Sequence, residues 1–394
     1  MTIASQHADH LIIGGGPAGS MAALRLAAAG RQVVLAEKER EAHHKVCGEF
    51  LSREAVDYFH QAGIDPLQLG AAVIRTLRLS AGNKVVESPL PFQALSLSRR
   101  VLDEALLARA ADKGCRILRG VAVESLTARG AEWTAALSSG HSMRSSAVFL
   151  ATGKHDLRGF PRSPTRQSGL IGFKLHWQLA PASILALRER IDLFLFSGGY
   201  GGLSLIEEDV ANLCLVVRRS ALRTLGGWPA LLAAIQRENR HLRGLLQSGM
   251  PLWPRPLAIS PIPYGYLVPN PRSARSAQYW CVGDQAAVIP SLTGDGVSIA
   301  LHSAALAAQM CLAGKSAADY HRTLHAQLHR AMSLAIWVSR AAVTGAGRVL
   351  APHALSLFPH ATQWIAASTR IPQSSLLVDE VARSQAGNAA HQSA

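Results

Sequence analysis

A glycine-rich turn lies close to the start of this chain of 394 residues, between an apolar run and an Ala/Leu-rich segment. The run Leu11–Ile13 predicts a buried strand, and the turn has the spacing Gly14-x-Gly16-x-x-Gly19. A second apolar run ends in Glu37, about 20 residues after the glycines, as a dinucleotide-binding βαβ unit requires. Gly14 would permit the tight turn, Gly16 a close approach of a pyrophosphate, and Gly19 close packing of helix on strand. This feature predicts a nucleotide-binding α/β domain.

The start of the helix predicted over Ser20–Ala29 would offer free N–H groups and a partial positive charge to the diphosphate. Glu37 would accept hydrogen bonds from a ribose. Its negative charge argues against a 2′-phosphate, and therefore against NADP at this position.

The composition excludes several classes of protein. With 48% hydrophobic and 17% charged residues the chain is globular. A net charge of +14 could attract nucleic acid, acidic lipid headgroups, an acidic carrier protein or an anionic substrate. No basic block is interleaved with aromatics, and no zinc finger, KH or RRM signature occurs, so we expect no nucleic-acid partner. The five cysteines are scattered, so we expect neither a disulfide framework nor a zinc site. Together with the lack of a signal-peptide pattern, this favours the cytoplasm.

Glycine also follows two later strand-like runs, in the segments Ala147–Gly153 and Tyr279–Asp284. About 260 residues separate Gly19 from Gly283, so another lobe must be inserted between them. Alternating segments within 169–266 predict an antiparallel sheet there. The segment 296–314 is apolar over nearly the length of a membrane span, but its Ser, His and Gln residues favour a buried helix.

Three more motifs occur in order: K-V-C-G-E at 45–49, S-R-R-V-L-D at 98–103, and G-D at 283–284 followed by P-S-L-T-G-D-G at 290–296. With the first glycine motif they make most of residues 8–315 similar to the FAD-dependent aromatic hydroxylase superfamily of single-component flavoprotein monooxygenases. That superfamily also holds geranylgeranyl reductases and flavin halogenases. The motif at 45–49 resembles the C-G loop of the reductase-like branch.

The resemblance implies an α/β fold. A Rossmann-like FAD-binding domain of the glutathione-reductase type would carry an inserted antiparallel-sheet substrate domain and a C-terminal helical region. We expect FAD-binding segments at 1–81, 96–168 and 272–319, and substrate-domain segments at 82–95 and 169–271. The helical region, with a polar tail that we expect to be disordered, would occupy 320–394.

The resemblance further implies non-covalent FAD, with NADH or NADPH as electron donor. Asp284 would hold a ribityl hydroxyl, Arg99 would reach the phosphates or the ribityl chain, and the helix opening at 293–296 would point at the flavin ring. The expected FAD-binding residues are Gly14, Gly16, Pro17, Ala18, Gly19, Glu37, Lys38, Lys45, Cys47, Gly48, Arg99, Val121, Thr152, Gly153, Gly283, Asp284, Pro290, Gly294, Asp295, Gly296 and Val297. The Asp-Gly motif usual in the hydroxylases is absent from residues 151–159, which leaves the nicotinamide donor open.

For the reaction, the resemblance implies hydroxylation of an aromatic or polyketide-like substrate, or of a protein side chain, through a flavin C4a-hydroperoxide. The flavin would carry the chemistry, so we name no catalytic side chain. No metal is expected, because the pair His43 and His44 lacks further ligands at metal spacing. The expected substrate contacts are Glu49, Lys174, His176, Trp177, Tyr200 and Tyr264, with core packing as the alternative for Trp177 and Tyr200.

Three other functions compete. A halogenase is disfavoured, because none of the seven tryptophans forms the W-x-W segment of that branch. A reductase of isoprenoid-type double bonds would have a long apolar tunnel and would act without oxygen. An FAD-containing maturation factor would use the basic surface to bind an acidic protein partner. The substrate itself would be a small aromatic or lipid-like molecule.

Overall fold

The computed structural model describes residues 6–130, 132–163, 169–269, 279–357 and 360–377. The strands are β1 (Gln6–Ile13), β2 (Val33–Glu37), β3 (Phe50–Leu51), β4 (Ala72–Ala81), β5 (Lys84–Ser96), β6 (Arg116–Arg119), β7 (Val123–Arg129), β8 (Glu132–Leu137), β9 (Ser142–Leu150), β10 (Leu170–Gln178), β11 (Glu189–Phe196), β12 (Gly199–Leu205), β13 (Ala211–Arg218), β14 (Met250–Pro251), β15 (Leu257–Ile259), β16 (Tyr266–Leu267), β17 (Trp280–Cys281) and β18 (Ala287–Val288). The helices are α1 (Pro17–Ala28), α2 (Arg53–Gln61), α3 (Arg99–Asp112), α4 (Pro181–Leu187), α5 (Arg219–Leu225), α6 (Trp228–Glu238), α7 (Arg240–Leu246), α8 (Gly296–Leu312), α9 (Ala317–Ala342), α10 (Gly345–Leu357) and α11 (His360–Ser368).

The first sheet is the nucleotide-binding layer. Its strands run in the order β6-β2-β1-β9-β8-β7, and β17 also pairs with β9. The pairs β6–β2, β2–β1, β1–β9 and β9–β17 are parallel, whereas β7, β8 and β9 form an antiparallel meander. All five residues of β2 are buried, as expected for a strand covered on both faces. The glycine motif connects the end of β1 to the start of α1.

The second sheet runs in the order β14-β10-β13-β12-β11-β4-β5-β3, with β15 also on β10. All its pairs are antiparallel except β11 with β4, which is parallel. The predicted α/β class with an inserted, mainly antiparallel sheet and a C-terminal helical region is therefore confirmed. Strands β3 and β4 belong to this sheet as well, so the sheet begins at Phe50, well before the turn at residue 82.

Helix α1 packs on β1 and β2 of the first sheet, and α3 and α8 pack against α1. Helix α8 follows its predicted bounds and is buried over most of its length, so the apolar segment at 296–314 is an internal helix. In the described part of the chain, no helix has the length and apolar character needed to cross a bilayer.

The C-terminal region forms helices α9, α10 and α11. Helix α9 begins with a capping box, in which the Ser316 hydroxyl accepts from Asp319 N and the Asp319 carboxylate accepts from Ser316 N. The C-terminal region expected to be helical from residue 320 begins with α9 and α10, which are separated at residues 343–344. The polar tail from residue 379 and the boundary predicted at 271/272 lie outside the described residues.

Candidate functional site

A cavity of about 1070 Å³ connects the nucleotide-binding layer, the second sheet and the C-terminal helices. Its wall starts at the glycine turn after β1, passes the turn before α8, and continues beneath α9, α10 and α11. The glycine turns at 14–19, 283–284 and 294–296, which we call the first, second and third, therefore border one continuous space, although about 260 residues separate the first from the second.

The first glycine turn has the geometry that its spacing predicts. Gly14 has φ +106°, and a Cβ there would lie 2.5 Å from the carbonyl oxygen of Ala151. A Cβ at Gly19 would lie 1.9 Å from the Gly14 carbonyl oxygen, so α1 approaches β1 as only glycine allows. At Gly16 a Cβ would meet only the Arg99 guanidinium, at 3.4 Å. The turn thus leaves open space above Gly16.

The carboxylate of Glu37 is buried at the end of β2. Its Oε2 accepts from Gly15 N at 2.6 Å and its Oε1 accepts from Glu39 N at 3.0 Å. A carboxylate has about four acceptor sites, so Glu37 keeps capacity for hydroxyl donors from the cavity. Lys38 and Val121 line the cavity beside it.

Two cations share one carboxylate next to Gly16. Arg99 donates to both oxygens of Asp103, at 2.7 and 2.9 Å, and Lys45 Nζ donates to Asp103 Oδ2 at 2.9 Å. Burial alone would raise the pKa of Asp103, but the charges of Arg99 and Lys45 hold it below its usual value. The cluster keeps a net positive charge beside the glycine turn, which suits a diphosphate.

The second glycine turn touches the first. Gly283 has φ +60°, and a Cβ there would lie 2.8 Å from Ala18 Cβ at the start of α1. Asp284 lines the cavity, where its Oδ2 accepts from Lys154 Nζ at 3.0 Å. The wall here is completed by Pro17, Thr152 and Gly153.

The third turn precedes α8. Gly294 has φ +77°, and a Cβ there would lie 2.7 Å from the Phe50 ring. The carboxylate of Asp295 points away from the cavity wall and lies 3.4 Å from Arg370 Nη1. Burial raises the pKa of Asp295 to about 7, although Arg370 opposes the shift. The cavity is lined here by Gly294, Gly296 and Val297.

A buried charge network lies behind the loop at 45–49. Glu49 has left-handed backbone, with φ +60°. Its side chain is shielded from bulk solvent, and the residue lines the cavity. Lys174 Nζ and Arg99 N donate to Glu49 Oε1, and His176 Nε2 lies 3.1 Å from Glu49 Oε2. Burial would raise the pKa of Glu49, but the hydrogen bond with His176 and the charge of Lys174 hold it below its usual value. Glu49 is therefore an anion fixed by three donors.

An aromatic cluster adjoins this network. The ring of His44 packs edge-on against His176 at 4.7 Å, and His176 stacks on Trp253. Burial, with a contribution from the charge of Lys174, lowers the pKa of His44 to about 4, so His44 is neutral at pH 7. His44, Glu49 and His176 are close enough to share a metal ion. However, the Lys174 ammonium already occupies Glu49 and would repel a cation, so we assign a proton-holding network.

Two predicted substrate contacts meet at one hydroxyl. Tyr200 and Tyr264 line the cavity, and their phenol oxygens lie 3.2 and 2.7 Å from Ser291 Oγ. Burial raises the pKa of both tyrosines, so they stay protonated. Trp177 does not border the cavity. It shares one face of β10 with Phe173, the face that packs in the core with α6 and α7, whereas Lys174 and His176 lie on the other face.

Most of the residues expected to bind FAD border this one cavity. Those that do are Gly14, Gly16, Pro17, Ala18, Glu37, Lys38, Lys45, Cys47, Gly48, Arg99, Val121, Thr152, Gly153, Gly283, Asp284, Gly294, Gly296 and Val297. Gly19, Pro290 and Asp295 lie behind its wall, as do Lys174 and His176 among the expected substrate contacts. Open space above Gly16, free acceptor capacity on Glu37 and net positive charge between them fit an FAD adenosine diphosphate. The structure thus provides a fitting site for the cofactor.

The sequence did not point to the cavity residues of α9, α10 and α11. These helices contribute small side chains that leave room, among them Ala341, Ala351 and Ala354. The alanine-rich composition of 341–354 was the available signal. No sequence pattern indicated Arg370, which also borders the cavity and whose Cζ lies 3.8 Å from the centre of the Phe92 ring.

Comparison with known proteins agrees with this geometry. Residues 7–150 match the family model described as an FAD binding domain. The menaquinone reductase of Mycolicibacterium smegmatis is 27% identical over 326 residues, which cover 78% of this chain and 77% of that protein.

Two solved structures share the fold at low identity. The geranylgeranyl bacteriochlorophyll reductase-like protein of Thermoplasma acidophilum has a TM-score of 0.72 at 17% identity, over 95% of this chain and 96% of that one. The flavin-dependent brominase Bmp2 has a TM-score of 0.74 at 16% identity, over 98% and 100%. Because proteins named for different reactions share this fold, the fold alone does not select the chemistry.

Residues 7–150 therefore match an FAD binding domain, and the chain shares its fold with a geranylgeranyl reductase-like protein and a flavin-dependent brominase, in agreement with the resemblance drawn from the sequence. The matched domain and the menaquinone reductase relative support an FAD-dependent oxidoreductase.

Proposed function

We propose that this flavoprotein saturates a carbon–carbon double bond in a long apolar substrate of isoprenoid type, with NADH or NADPH as electron donor. The observation that carries the proposal is the apolar branch of the cavity, which extends from the turn before α8 to the C-terminal helices. Its lining is Val338, Ala341, Ala342, Gly347, Leu350, Ala351, Ala354, Leu355, Ile365 and Ala366. A branch of this kind suits a flexible hydrocarbon chain, which gains free energy by leaving water. The similarity to a menaquinone reductase supports the same class of substrate.

The bound flavin, once reduced, would supply the hydride that such a reduction needs. The Tyr200 and Tyr264 hydroxyls, held at Ser291, are placed to orient a polar head group of the substrate. Glu49 borders the cavity, and Lys174 holds a proton against its Oε1. We assign the Lys174 ammonium as the source of the second hydrogen, a proton, and Glu49 as the carboxylate that relays this proton to the cavity in one concerted step. The apolar lining excludes water that would compete for that proton.

Filling the apolar branch tests the proposal. We expect Ala351→Trp to lower kcat/KM for a long-chain substrate about tenfold or more, because the indole takes the space of the distal hydrocarbon. Turnover of a short-chain analogue and FAD content should stay near wild type. The measurement is steady-state kinetics across a series of chain lengths. The exposed Ala367, on α11 and outside the cavity lining, provides the control variant Ala367→Trp. Equal loss for short and long substrates would refute a tail site in this branch.

Hydroxylation of an aromatic ring is the second candidate, and the hydroxyl cluster of Tyr200, Tyr264 and Ser291 favours it. Buried, protonated phenols beside an apolar space can hydrogen-bond to the oxygen of a hydroxylated aromatic ring as well as to that of a quinone head group. The two candidates differ in their need for oxygen: hydroxylation incorporates an oxygen atom from O2, whereas double-bond reduction does not.

A further inference from the structure

The outward side of the three C-terminal helices is unusually apolar for a surface in contact with water. Ten large hydrophobic side chains are strongly exposed in the described parts of the chain, and five of them lie on α9, α10 and α11. These five, exposed by 61% to 74%, are Trp337, Val349, Leu350, Leu357 and Trp364, which we call the C-terminal apolar face. Apolar patches of this kind mark surfaces that bind a partner or a lipid phase.

Helical spacing places basic residues beside these apolar ones. Arg330, Trp337 and Arg340 are seven and three residues apart, so they share one side of α9, and all three are exposed. The sequence 320–370 contains no Asp or Glu, and of its five arginines Arg330 and Arg340 supply the charge of the face. The charges of Arg322, Arg348 and Arg370 are balanced by the carboxylates of Asp319, Glu238 and Glu54. The face therefore combines apolar side chains with positive charge, in a chain whose net charge is +14.

The cavity opens within this face. Trp337 and Leu350 are each more than half exposed, yet both also line the cavity. A residue that borders both bulk solvent and the cavity lies at an opening between them. An apolar molecule leaving the cavity here would meet the exposed apolar side chains before it met water.

We propose that the C-terminal apolar face docks the protein on the surface of a bilayer that contains anionic lipids, so that an apolar ligand passes between bilayer and cavity without crossing water. Trp and Leu side chains would enter the interfacial region, with the helices lying in its plane. Arg330 and Arg340 would meet the lipid phosphates. A two-fold contact between copies of this face would instead bring the arginines of both copies together, which disfavours a second copy as the occupant.

Vesicle co-sedimentation of the FAD-loaded protein tests this docking. We expect binding to mixed phosphatidylcholine and phosphatidylglycerol vesicles and weaker binding to phosphatidylcholine alone. The triple variant Val349→Ser/Leu357→Ser/Trp364→Ser should bind the mixed vesicles about tenfold less tightly or worse, because it loses inserted apolar area. None of these three residues lines the cavity, so turnover of detergent-dispersed substrate should stay at the wild-type level.

The control removes equally exposed apolar residues elsewhere. Leu185 on α4 and Met250 on β14 are each 66% exposed, and Leu185→Ser/Met250→Ser should bind vesicles like wild type. The variant Arg330→Gln/Arg340→Gln should lose the preference for phosphatidylglycerol. Wild-type binding by the triple variant, equal weakening in the control, or no vesicle binding at all would overturn the proposal. A wild-type dimer that the triple variant dissociates, without vesicle binding, would assign the face to a second copy. None of these outcomes bears on the proposed reduction, which is measured in detergent.

Discussion

Replacing Glu49 with alanine is expected to lower the free energy of unfolding by about 3–5 kcal/mol, the cost of leaving a buried charge without its partner. Lys174 is completely buried, and Glu49 carries the negative charge that contacts it. Chemical denaturation of the FAD-free proteins measures the difference without a contribution from cofactor binding.

Glu208→Ala is the matched control. Glu208 has the same left-handed backbone as Glu49, with φ +60° in both, but its side chain is exposed. The two variants therefore share any backbone effect and differ in burial. We expect Glu208→Ala to change the stability by less than about 1 kcal/mol. Similar losses in both variants would show that the Glu49–Lys174 pair is not the cause.

A double substitution separates the structural role of the pair from its proposed proton transfer. Glu49→Gln alone would leave the buried Lys174 charge without its partner and should lower the stability. Glu49→Gln/Lys174→Met removes both charges, so most of that stability should return. The proton path would remain broken, and we expect kcat to stay about 100-fold below wild type with FAD still bound. Recovery of turnover together with stability would contradict the assignment of Glu49 as the proton-transfer group.

Replacing Gly16 with alanine is expected to weaken FAD binding about 100-fold while leaving the FAD-free fold intact. Its backbone has φ −76° and ψ −175°, which alanine adopts without strain, and the new methyl group would meet only the Arg99 guanidinium. The methyl group would, however, fill the space through which the pyrophosphate approaches the turn. Flavin fluorescence titration measures the dissociation constant, and thermal unfolding of the FAD-free protein verifies the fold.

Gly244→Ala is the control, because it adds a methyl group within α7, where nothing lies within 4 Å of the new atom. Its affinity for FAD should match wild type. Gly14→Ala should instead damage the fold itself, since its Cβ would collide with the Ala151 backbone. If Gly16→Ala bound FAD as tightly as wild type, the pyrophosphate could not lie against this turn.

The sequence predicted those parts of the fold that have local causes. The first glycine turn depends on residues within one βαβ unit, and α8 on its apolar composition, so both were accessible from neighbouring residues. The alternation of side chains in β10 also indicates which face of the strand Trp177 occupies. Phe173, Leu175 and Trp177 alternate with Lys174 and His176, so Trp177 had to face away from the two polar residues.

Other features depend on contacts between distant residues. Glu49 and Lys174 were each expected at the substrate site, but their pairing across 125 positions is set by how the second sheet lies on the loop. The contact of Asp295 with Arg370 likewise requires the chain after α11 to return to the start of α8. Helical periodicity indicates that α9 has a buried side, but not that this side covers a cavity.

The mass of the product formed without oxygen tests the central claim most directly. The FAD-loaded protein would be reduced by NADH, NADPH or dithionite in an anaerobic chamber and mixed with a polyprenyl quinone or another isoprenoid lipid. We predict a product that has gained two hydrogen atoms on its hydrocarbon chain and no oxygen atom, and that forms without any need for air. A product that appears only with oxygen and carries one added oxygen atom would contradict the reductase and establish the hydroxylase.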